Sequence, residues 1–264
     1  MTQTDIAVIS LLVASAACYL AAWPLLTKRP TKPGIILMAA GWGISAALFV
    51  VNGLVAGEPP FGNMYHVQVV LALCFVPLYA LLSKRDGLSW TAPYFAVAAA
   101  LPLIGALFME RDVHWRRVPA LQSPWFVPHV LAYMISYALA AIAVSLTIAR
   151  LIRVKRQPDA GEAPEYRSAT LETLRLAFPF MTFGMLSGAL WAEEAWGVYW
   201  SWDAKETWSL VTWTLYLVYF HCRYSRPLQR YADLAQILAF LALLTTFFLV
   251  NLLPKLSSAL HSYA

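Results

Sequence analysis

The stretch Trp191-Ala-Glu-Glu-Ala-Trp196-Gly-Val-Tyr-Trp200-Ser-Trp202-Asp203-Ala-Lys205-Glu206-Thr-Trp208 decides how the rest of the sequence is interpreted. With Trp213 it holds six of the eleven tryptophans in the chain. Several tryptophans together can enclose a flat apolar molecule, because each offers a wide aromatic face and one N–H donor. Five charged residues are interleaved with them, and charges are not left unpaired in bilayer hydrocarbon. The stretch is therefore predicted to lie at a membrane–water boundary, between two spans.

The composition around this stretch is that of an integral membrane protein. Hydrophobic residues make up 60% of the 264 residues, charged residues 12%, and the mean hydropathy is +0.61. The net charge of +5 is explained by basic residues in short loops between spans, so a nucleic-acid partner is not expected. All three cysteines lie in or at the ends of apolar windows and form no Cys-x-x-Cys pair, which excludes a disulfide framework and a thiol-redox motif.

Counting apolar windows long enough for a bilayer predicts an all-α, polytopic protein with about eight transmembrane helices in a single membrane domain, 1–264. The first span is expected to be retained, because no basic residue precedes it. Residues 153–172 are predicted to form a flexible polar loop, and Gly184 and Gly188 to let another helix approach closely. The predicted spans are 6–26, 34–55, 66–82, 90–109, 126–151, 174–190, 207–220 and 235–253.

The distribution of Lys and Arg predicts the orientation of these spans. The loops after spans one, three, five and seven carry 14 of the 19 basic residues, and the opposite face carries five. Because basic residues are retained on the cytoplasmic side, both termini and the tryptophan-rich segment 191–208 are predicted to face outward.

The five histidines are unevenly distributed in this topology. His129 and His261 are predicted at the outer face, on different spans, and could together ligate the iron of a haem held beside the tryptophans. His221 alone lies inward, at the end of span seven. His66 and His114 are interpreted as polar side chains that extend toward the interface. Two simpler interpretations stay open, namely that the tryptophans form an interfacial belt and that Asp203 caps a helix.

The run from Trp196 to Trp208 resembles the tryptophan-rich signature, or WWD motif, of membrane proteins that handle haem in cytochrome c biogenesis. It is most similar to the CcsA (ResC) family of System II, and the similarity extends over most of the chain. Two positions depart from the family pattern, which has Pro where this chain has Ala204 and an acidic residue where it has His66. The matching segments are Asn63-Met-Tyr, Ser123-Pro-Trp125 leading to His129, the signature itself, His221-Cys-Arg223 and Leu260-His261-Ser-Tyr263.

The resemblance implies a haem-binding, haem-exporting subunit of a cytochrome c synthase, which brings reduced haem b outward for attachment to Cys-x-x-Cys-His motifs of apocytochrome c. It implies that His129 and His261 ligate haem iron at the outer site. His221 would serve a second site in the membrane, whose other ligand comes from a CcsB-like subunit. The remaining haem-binding residues implied by the resemblance are Trp191, Trp196, Trp200, Trp202, Asp203 and Trp208.

No nucleophile for covalent chemistry is assigned to this chain, so its part in a haem lyase would be to hold and present haem. Reductant for the apocytochrome thiols would come from a separate pathway. The expected location is a bacterial plasma membrane or a thylakoid membrane, with the active face outward. Arg116, Arg117 and Lys205 are candidate partners for the haem propionates. The alternatives are a CcmC-type haem-delivery protein or a secondary transporter of another planar anion.

Overall fold

The computed structural model describes residues 3–110, 119–157 and 163–249, with the side chains of Gln3 and Leu249 excepted. Within these ranges the chain folds into long helices joined by short turns. The helices are α1 Gln3–Leu26, α2 Lys32–Ala56, α3 Met64–Arg85, α4 Ala92–Leu107, α5 Phe126–Arg156, α6 Pro164–Trp196, α7 Ala204–Tyr224 and α8 Ala232–Leu244.

Seven segments of the described chain are long and apolar enough to cross a membrane. They correspond to seven of the eight predicted spans, and they confirm an all-α polytopic membrane protein. The exception is α7, which is a helix of 21 residues as predicted but does not meet the same standard of apolar composition, because charged residues lie at both of its ends. The seven segments are Thr4–Leu26, Lys32–Ala56, Met64–Arg85, Ser89–Leu107, Phe126–Arg156, Pro164–Trp196 and Arg226–Phe248.

The chain divides into two compact units, Met1–Val118 and Pro119–Ala264. In the first unit α1 packs against α2 and α4, and α3 packs against the same two helices. Buried serines join α1 to α2, because Ser15 Oγ lies 2.7 Å from both the Gly41 carbonyl and Ser45 Oγ. Small residues at this contact allow the two backbones to approach closely.

The beginning of α3 corrects the interpretation of His66 as an interfacial side chain. Asn63 begins the helix by accepting a hydrogen bond from the His66 backbone N–H at 2.7 Å. The His66 side chain is fully buried and lies 5.3 Å from the Tyr65 ring. Since it is covered by its own unit, it does not extend toward water.

The second unit has the same arrangement, in which α5 contacts α6 and α8 while α7 contacts the same two helices. Successive helices run antiparallel, so the start of α5, the end of α6 and the start of α7 lie at one end. The start of α5 meets the end of α6 through His129 and Gly184. At the opposite end, Arg150 of α5 donates a hydrogen bond to Asp233 at the start of α8.

The prediction of a flexible loop over 153–172 was wrong for most of that segment. Helix α5 continues to Arg156 and α6 begins at Pro164, so residues 164–172 are helical. Arg153 donates to Glu165 at 2.8 Å across these two helix ends. Polar side chains can continue a helix beyond the hydrocarbon, where hydropathy gives no signal, and Pro is well tolerated in a first helical turn.

Candidate functional site

The tryptophan-rich segment is divided between two helices rather than forming one stretch between them. Helix α6 continues to Trp196, so the first two tryptophans lie on helix and not, as predicted, beyond its end. Gly197 then ends the helix in a left-handed conformation, with φ of 73°. Residues 197–203 form the connection, and Trp208 lies on α7.

His129 is held tightly between α5 and α6. Its Nδ1 lies 2.8 Å from the Gly184 carbonyl oxygen, and its ring packs edge-on against Tyr133 at 5.0 Å. A Cβ built on Gly188 would lie 2.5 Å from His129 Cε1 and 2.6 Å from Nδ1. The predicted close approach at Gly184 and Gly188 is therefore confirmed, with the Tyr133 ring occupying the space at Gly184 and the His129 ring the space at Gly188.

The hydrogen bond to Gly184 fixes the chemistry of the His129 ring. A carbonyl oxygen only accepts, so Nδ1 must carry the proton that it donates. In the neutral ring, Nε2 is then the nitrogen that bears the lone pair. Metal-ligating histidines are commonly oriented in this way, with one ring nitrogen donating to a carbonyl and the other available to the metal.

An aromatic cluster extends from His129 along the end of α6. The Trp191 ring lies 5.5 Å from His129 and 4.9 Å from Trp196. Trp191 is only 3% exposed, and its indole N–H donates to the Ala120 carbonyl at 2.7 Å. Trp191 therefore supports the His129 ring from within the unit, whereas Trp196 is partly exposed.

The connection after α6 presents a second aromatic pair. Trp200 and Trp202 contact each other at nearly perpendicular ring planes, with centroids 5.9 Å apart. The Trp200 indole N–H is buried and has no acceptor within the described ranges. Trp202 is 68% exposed and has a φ of 60°, a left-handed conformation that is strained for a bulky residue. Such a conformation persists only where the surrounding structure imposes it.

Hydrogen bonds at the start of α7 impose that conformation. Asp203 accepts from the Glu206 backbone N–H at 2.8 Å, which confirms that it caps the helix. Glu206 in turn accepts from the Ser201 backbone N–H at 2.7 Å, and Thr207 donates to the Trp202 carbonyl at 3.2 Å. These contacts hold the backbone on both sides of Trp202.

Lys205 lies half-buried beside this cap. Burial lowers the pKa of its amine from 10.5 to about 8, although the neighbouring Asp203 carboxylate raises it. The folded state therefore binds a proton at Lys205 less readily than the unfolded chain. The contribution of Lys205 to stability accordingly rises as the pH increases from about 8 toward 10.5, and it is constant below that window.

Two substitutions at Asp203 separate its charge from its cap. Asp203→Asn keeps an N-cap acceptor but removes the charge, so it should lower the Lys205 pKa below about 8 with little loss of stability. Asp203→Ala should lower the Lys205 pKa and also destabilise the protein by about 1 kcal/mol. The pH dependence of Lys205 acylation, followed by mass spectrometry, checks the pKa. An unchanged profile in both variants would contradict the electrostatic link.

The remaining predicted site residues lie apart from His129 or outside the described ranges. His221 is exposed near the end of α7, at the opposite end of the unit, with Nδ1 3.2 Å from the Leu217 carbonyl. Trp213 packs between α6 and α7, where it stacks on Phe178 and donates to Thr182 at 2.9 Å. His261, His114, Arg116 and Arg117 lie outside the described residues.

Sequence reasoning missed two parts of this unit. It did not connect Gly188 with His129, because a helix contact cannot be located from the spacing of small residues alone. It also gave no indication that Arg150 and Asp233 form an ion pair within the unit. The signal was present in Arg150, which interrupts an apolar run.

Comparisons with known proteins agree with the architecture and the motif. The family model described as Cytochrome C assembly protein matches residues 61–257. The chain is 34% identical to the cytochrome c biogenesis protein CcsA of Chlamydomonas reinhardtii, over 84% of this chain and 66% of that protein, just under two thirds of its length. It is 31% identical to CcsA of Synechococcus sp. strain CC9902 over 88% of each chain. It is 30% identical to CcsA of Synechococcus elongatus over 98% of this chain and 96% of that one. The chain therefore belongs to the CcsA family of cytochrome c biogenesis proteins.

Proposed function

We propose that this chain binds haem b at the tryptophan-rich end of its second unit and presents it for attachment to apocytochrome c. The observation that carries the proposal is the His129 ring, which is oriented by the Gly184 carbonyl and supported by Trp191. A ring held in this way has lost its rotational freedom before any ligand arrives. Less entropy is therefore lost when Nε2 binds iron.

The second axial ligand at this outer site is proposed to be His261. Bis-histidine ligation would keep the iron six-coordinate, and haem would be transferred as a substrate rather than kept as a resident cofactor. His221 would bind haem at an earlier, inner stage, together with a ligand from a CcsB-like partner. The separation of His129 and His221 between the two ends of one unit fits successive stops on a single route.

The connection between α6 and α7 would hold the porphyrin and its substituents. The exposed Trp202 ring can cover a porphyrin face, and the buried Trp200 N–H offers a donor to an acceptor on the ligand. Trp196 and Trp208, both partly exposed, would extend this surface, and Asp203 would position it through the cap. A haem propionate beside Lys205 would raise the pKa of its amine above about 8.

The chemistry of attachment follows from what this chain holds. Each apocytochrome thiol adds its S–H across a haem vinyl group, with no net oxidation, so the chain needs only to keep haem positioned. All three cysteines of the chain are free, and each is assigned to a helix rather than to the outer connection. A reductant for the apocytochrome thiols would therefore come from another protein. The proposed location is a bacterial plasma membrane or a thylakoid membrane, with residues 191–208 facing outward.

The test is the haem content of the full chain, co-expressed with a CcsB-like partner in haem-replete cells. His129→Ala should lower the Soret absorbance severalfold, and added imidazole should restore much of it, because free imidazole can replace the missing axial ligand. Imidazole does not repair a misfolded protein, so restoration distinguishes ligation from packing. A pyridine haemochrome spectrum identifies the haem as haem b.

His221→Ala provides the comparison within the same assay. If the two sites are separate, His221→Ala should lose the absorbance of the inner haem and keep that of the outer haem. The double variant His129→Ala with His221→Ala should lose nearly all haem. Unchanged haem content and unchanged cytochrome c assembly in His129→Ala would refute the assignment of the outer ligand. Unchanged content in His221→Ala alone would refute only the inner site.

A further inference from the structure

The second unit is built from two helix pairs, and the surface proposed to hold haem is divided between them. Helix α5 packs most extensively against α6, and α7 packs most extensively against α8. The His129 ring and the groups that orient it belong to the first pair. The start of α7, which Asp203 caps and which carries Trp208, belongs to the second pair. A haem that contacts both surfaces therefore requires the two pairs to keep a fixed separation.

Tyr133 of α5 reaches from one pair to the other, one helical turn after His129. Its ring is buried and stands perpendicular to the His129 ring, with centroids 5.0 Å apart. Its hydroxyl shares a hydrogen bond with the side chain of Ser209 on α7. Helices α5 and α7 lie diagonally across the unit, because each packs against α6 and α8. Tyr133 thus joins the helix that holds His129 to the helix that begins at the tryptophan connection.

Gly184 of α6 holds the Tyr133 ring in this position. A Cβ built on Gly184 would lie 3.1 Å from Tyr133 Cγ and 3.2 and 3.3 Å from its two Cδ atoms. The ring therefore rests directly against the bare Cα of the glycine. The carbonyl oxygen of the same glycine lies 2.8 Å from His129 Nδ1. Because one residue fixes both rings, a shift of Tyr133 changes its edge-on contact with His129.

The contact with Ser209 lies near the end of α7 that carries the tryptophan connection. Ser209 follows Asp203 by about six residues, which at 1.5 Å per residue is roughly 9 Å along the helix. One turn further along, the indole N–H of Trp213 donates to Thr182 of α6 at 2.9 Å. Helix α7 is therefore tied to α5 through Tyr133 and to α6 through Trp213, and the tie through Tyr133 lies nearer the proposed haem.

We propose that Tyr133 is a positioning residue, which holds α7 at the distance from His129 that haem requires. The inference rests on the proposed function, in which His129 binds iron. Without the bond to Ser209, the haem-free chain can adopt wider separations of α5 and α7, and haem binding must reverse them. The free energy needed for that reversal is lost from the affinity, as in any site that is no longer preorganised.

The first test measures how fast the full chain releases haem to apomyoglobin. It uses the His221→Ala background, which removes the proposed inner haem, together with a CcsB-like partner. Tyr133→Phe keeps the ring but removes the hydroxyl, and it should speed release about threefold or more, the effect of losing one neutral hydrogen bond. Ser209→Ala should do the same. The double variant should release haem no faster than either single variant, because both remove one bond.

The control is Tyr216→Phe, the same change at another buried tyrosine of the unit. The Tyr216 hydroxyl has no hydrogen-bond partner among the described residues, so its removal breaks no tie between helices. Tyr216→Phe should release haem at the rate of the parent chain. Should Tyr133→Phe not fold, Ser209→Ala makes the same test from a partly exposed position.

The second test measures the separation of α5 and α7 in the haem-free chain. Spin labels are attached through Leu131→Cys and Val211→Cys, both at exposed positions, after the three native cysteines are replaced by Ala. Pulsed electron paramagnetic resonance gives the distribution of label distances. The distribution should broaden in Tyr133→Phe and Ser209→Ala and should be unchanged in Tyr216→Phe.

The two tests together decide the role of Tyr133. An unchanged distance distribution in Tyr133→Phe, or equal broadening in Tyr216→Phe, would overturn the link between the helices. Broadening without faster haem release would overturn the positioning role. Failure of this inference alone appears as normal release in Tyr133→Phe beside haem loss in His129→Ala. Failure of the proposed outer ligand appears instead as retained haem in His129→Ala.

Discussion

Gly188→Ala should reduce haem binding nearly as much as removal of the His129 imidazole. The added methyl group would lie 2.5 Å from His129 Cε1, a separation that real contacts do not allow. The ring can escape only by leaving the Gly184 carbonyl or by separating α5 from α6. Either movement displaces Nε2 from the position in which it would bind iron, and displacements of about 1 Å at such sites cost large factors in function.

The expected change in stability is a balance of two effects. Overpacking in a helix contact costs about 1–3 kcal/mol, whereas replacing a helical glycine by alanine contributes about 1 kcal/mol in favour of folding. Gly188→Ala should therefore be neutral or moderately destabilised. Gly43→Ala is the matched control, because a Cβ there meets nothing within 4 Å. It should be slightly stabilised and keep its haem.

The Soret absorbance of both purified variants measures this prediction. Imidazole should restore less haem to Gly188→Ala than to His129→Ala, because the displaced ring still occupies the space beside Trp191. Wild-type haem content in Gly188→Ala would mean that the precise position of His129 does not matter for binding, and the proposed outer ligand would then be in doubt.

Arg150→Met should lower the free energy of unfolding by roughly 3 kcal/mol. Removing one partner of a buried ion pair leaves the other charge uncompensated, at a cost of about 3–5 kcal/mol. The lower end of this energy range applies here, because the Asp233 side chain is 31% exposed and keeps some hydration. The double variant Arg150→Met with Asp233→Leu should recover most of the loss, because it leaves no charge behind.

The control for this pair is Arg153→Met, which removes the partner of Glu165 one helical turn away. Both side chains of that pair are more than 40% exposed, so the expected loss is below about 1 kcal/mol. Denaturant unfolding of the four proteins under one set of detergent conditions compares these values. A double variant that is no more stable than Arg150→Met would contradict the charge argument and indicate a packing defect.

Much of the fold could be predicted from the sequence because its physical causes are local. An apolar run that crosses a bilayer must form a helix, because a helix satisfies the hydrogen bonds of its own backbone. Long apolar runs in the sequence are therefore sufficient to locate the spanning helices. The caps at Asn63 and Asp203 are equally local, since each side chain bonds a backbone N–H three residues away. Helix ends were predicted less well, because polar turns such as 164–172 continue a helix without a hydropathy signal.

The candidate site could be predicted in its residue types but not in its geometry. The tryptophan signature and the histidines drew attention to His129, Trp191 and Trp196, which the structure brings together. Nothing in their spacing indicated that Trp191 would be buried, that Trp202 would adopt a left-handed backbone, or that His66 would be enclosed by its own unit. These properties depend on what packs from other helices.

The sequence by itself determined that this chain is a helical membrane protein of the CcsA family, since hydropathy and a long tryptophan motif are properties of consecutive residues. Only the tertiary structure decided that Gly184 and Gly188 orient His129, and that Arg150 pairs with Asp233. His129 and the two glycines are at least 55 positions apart in the sequence. Arg150 and its partner Asp233 are 83 positions apart. Their meeting depends on the register between helices, which side-chain packing sets and which no local pattern encodes.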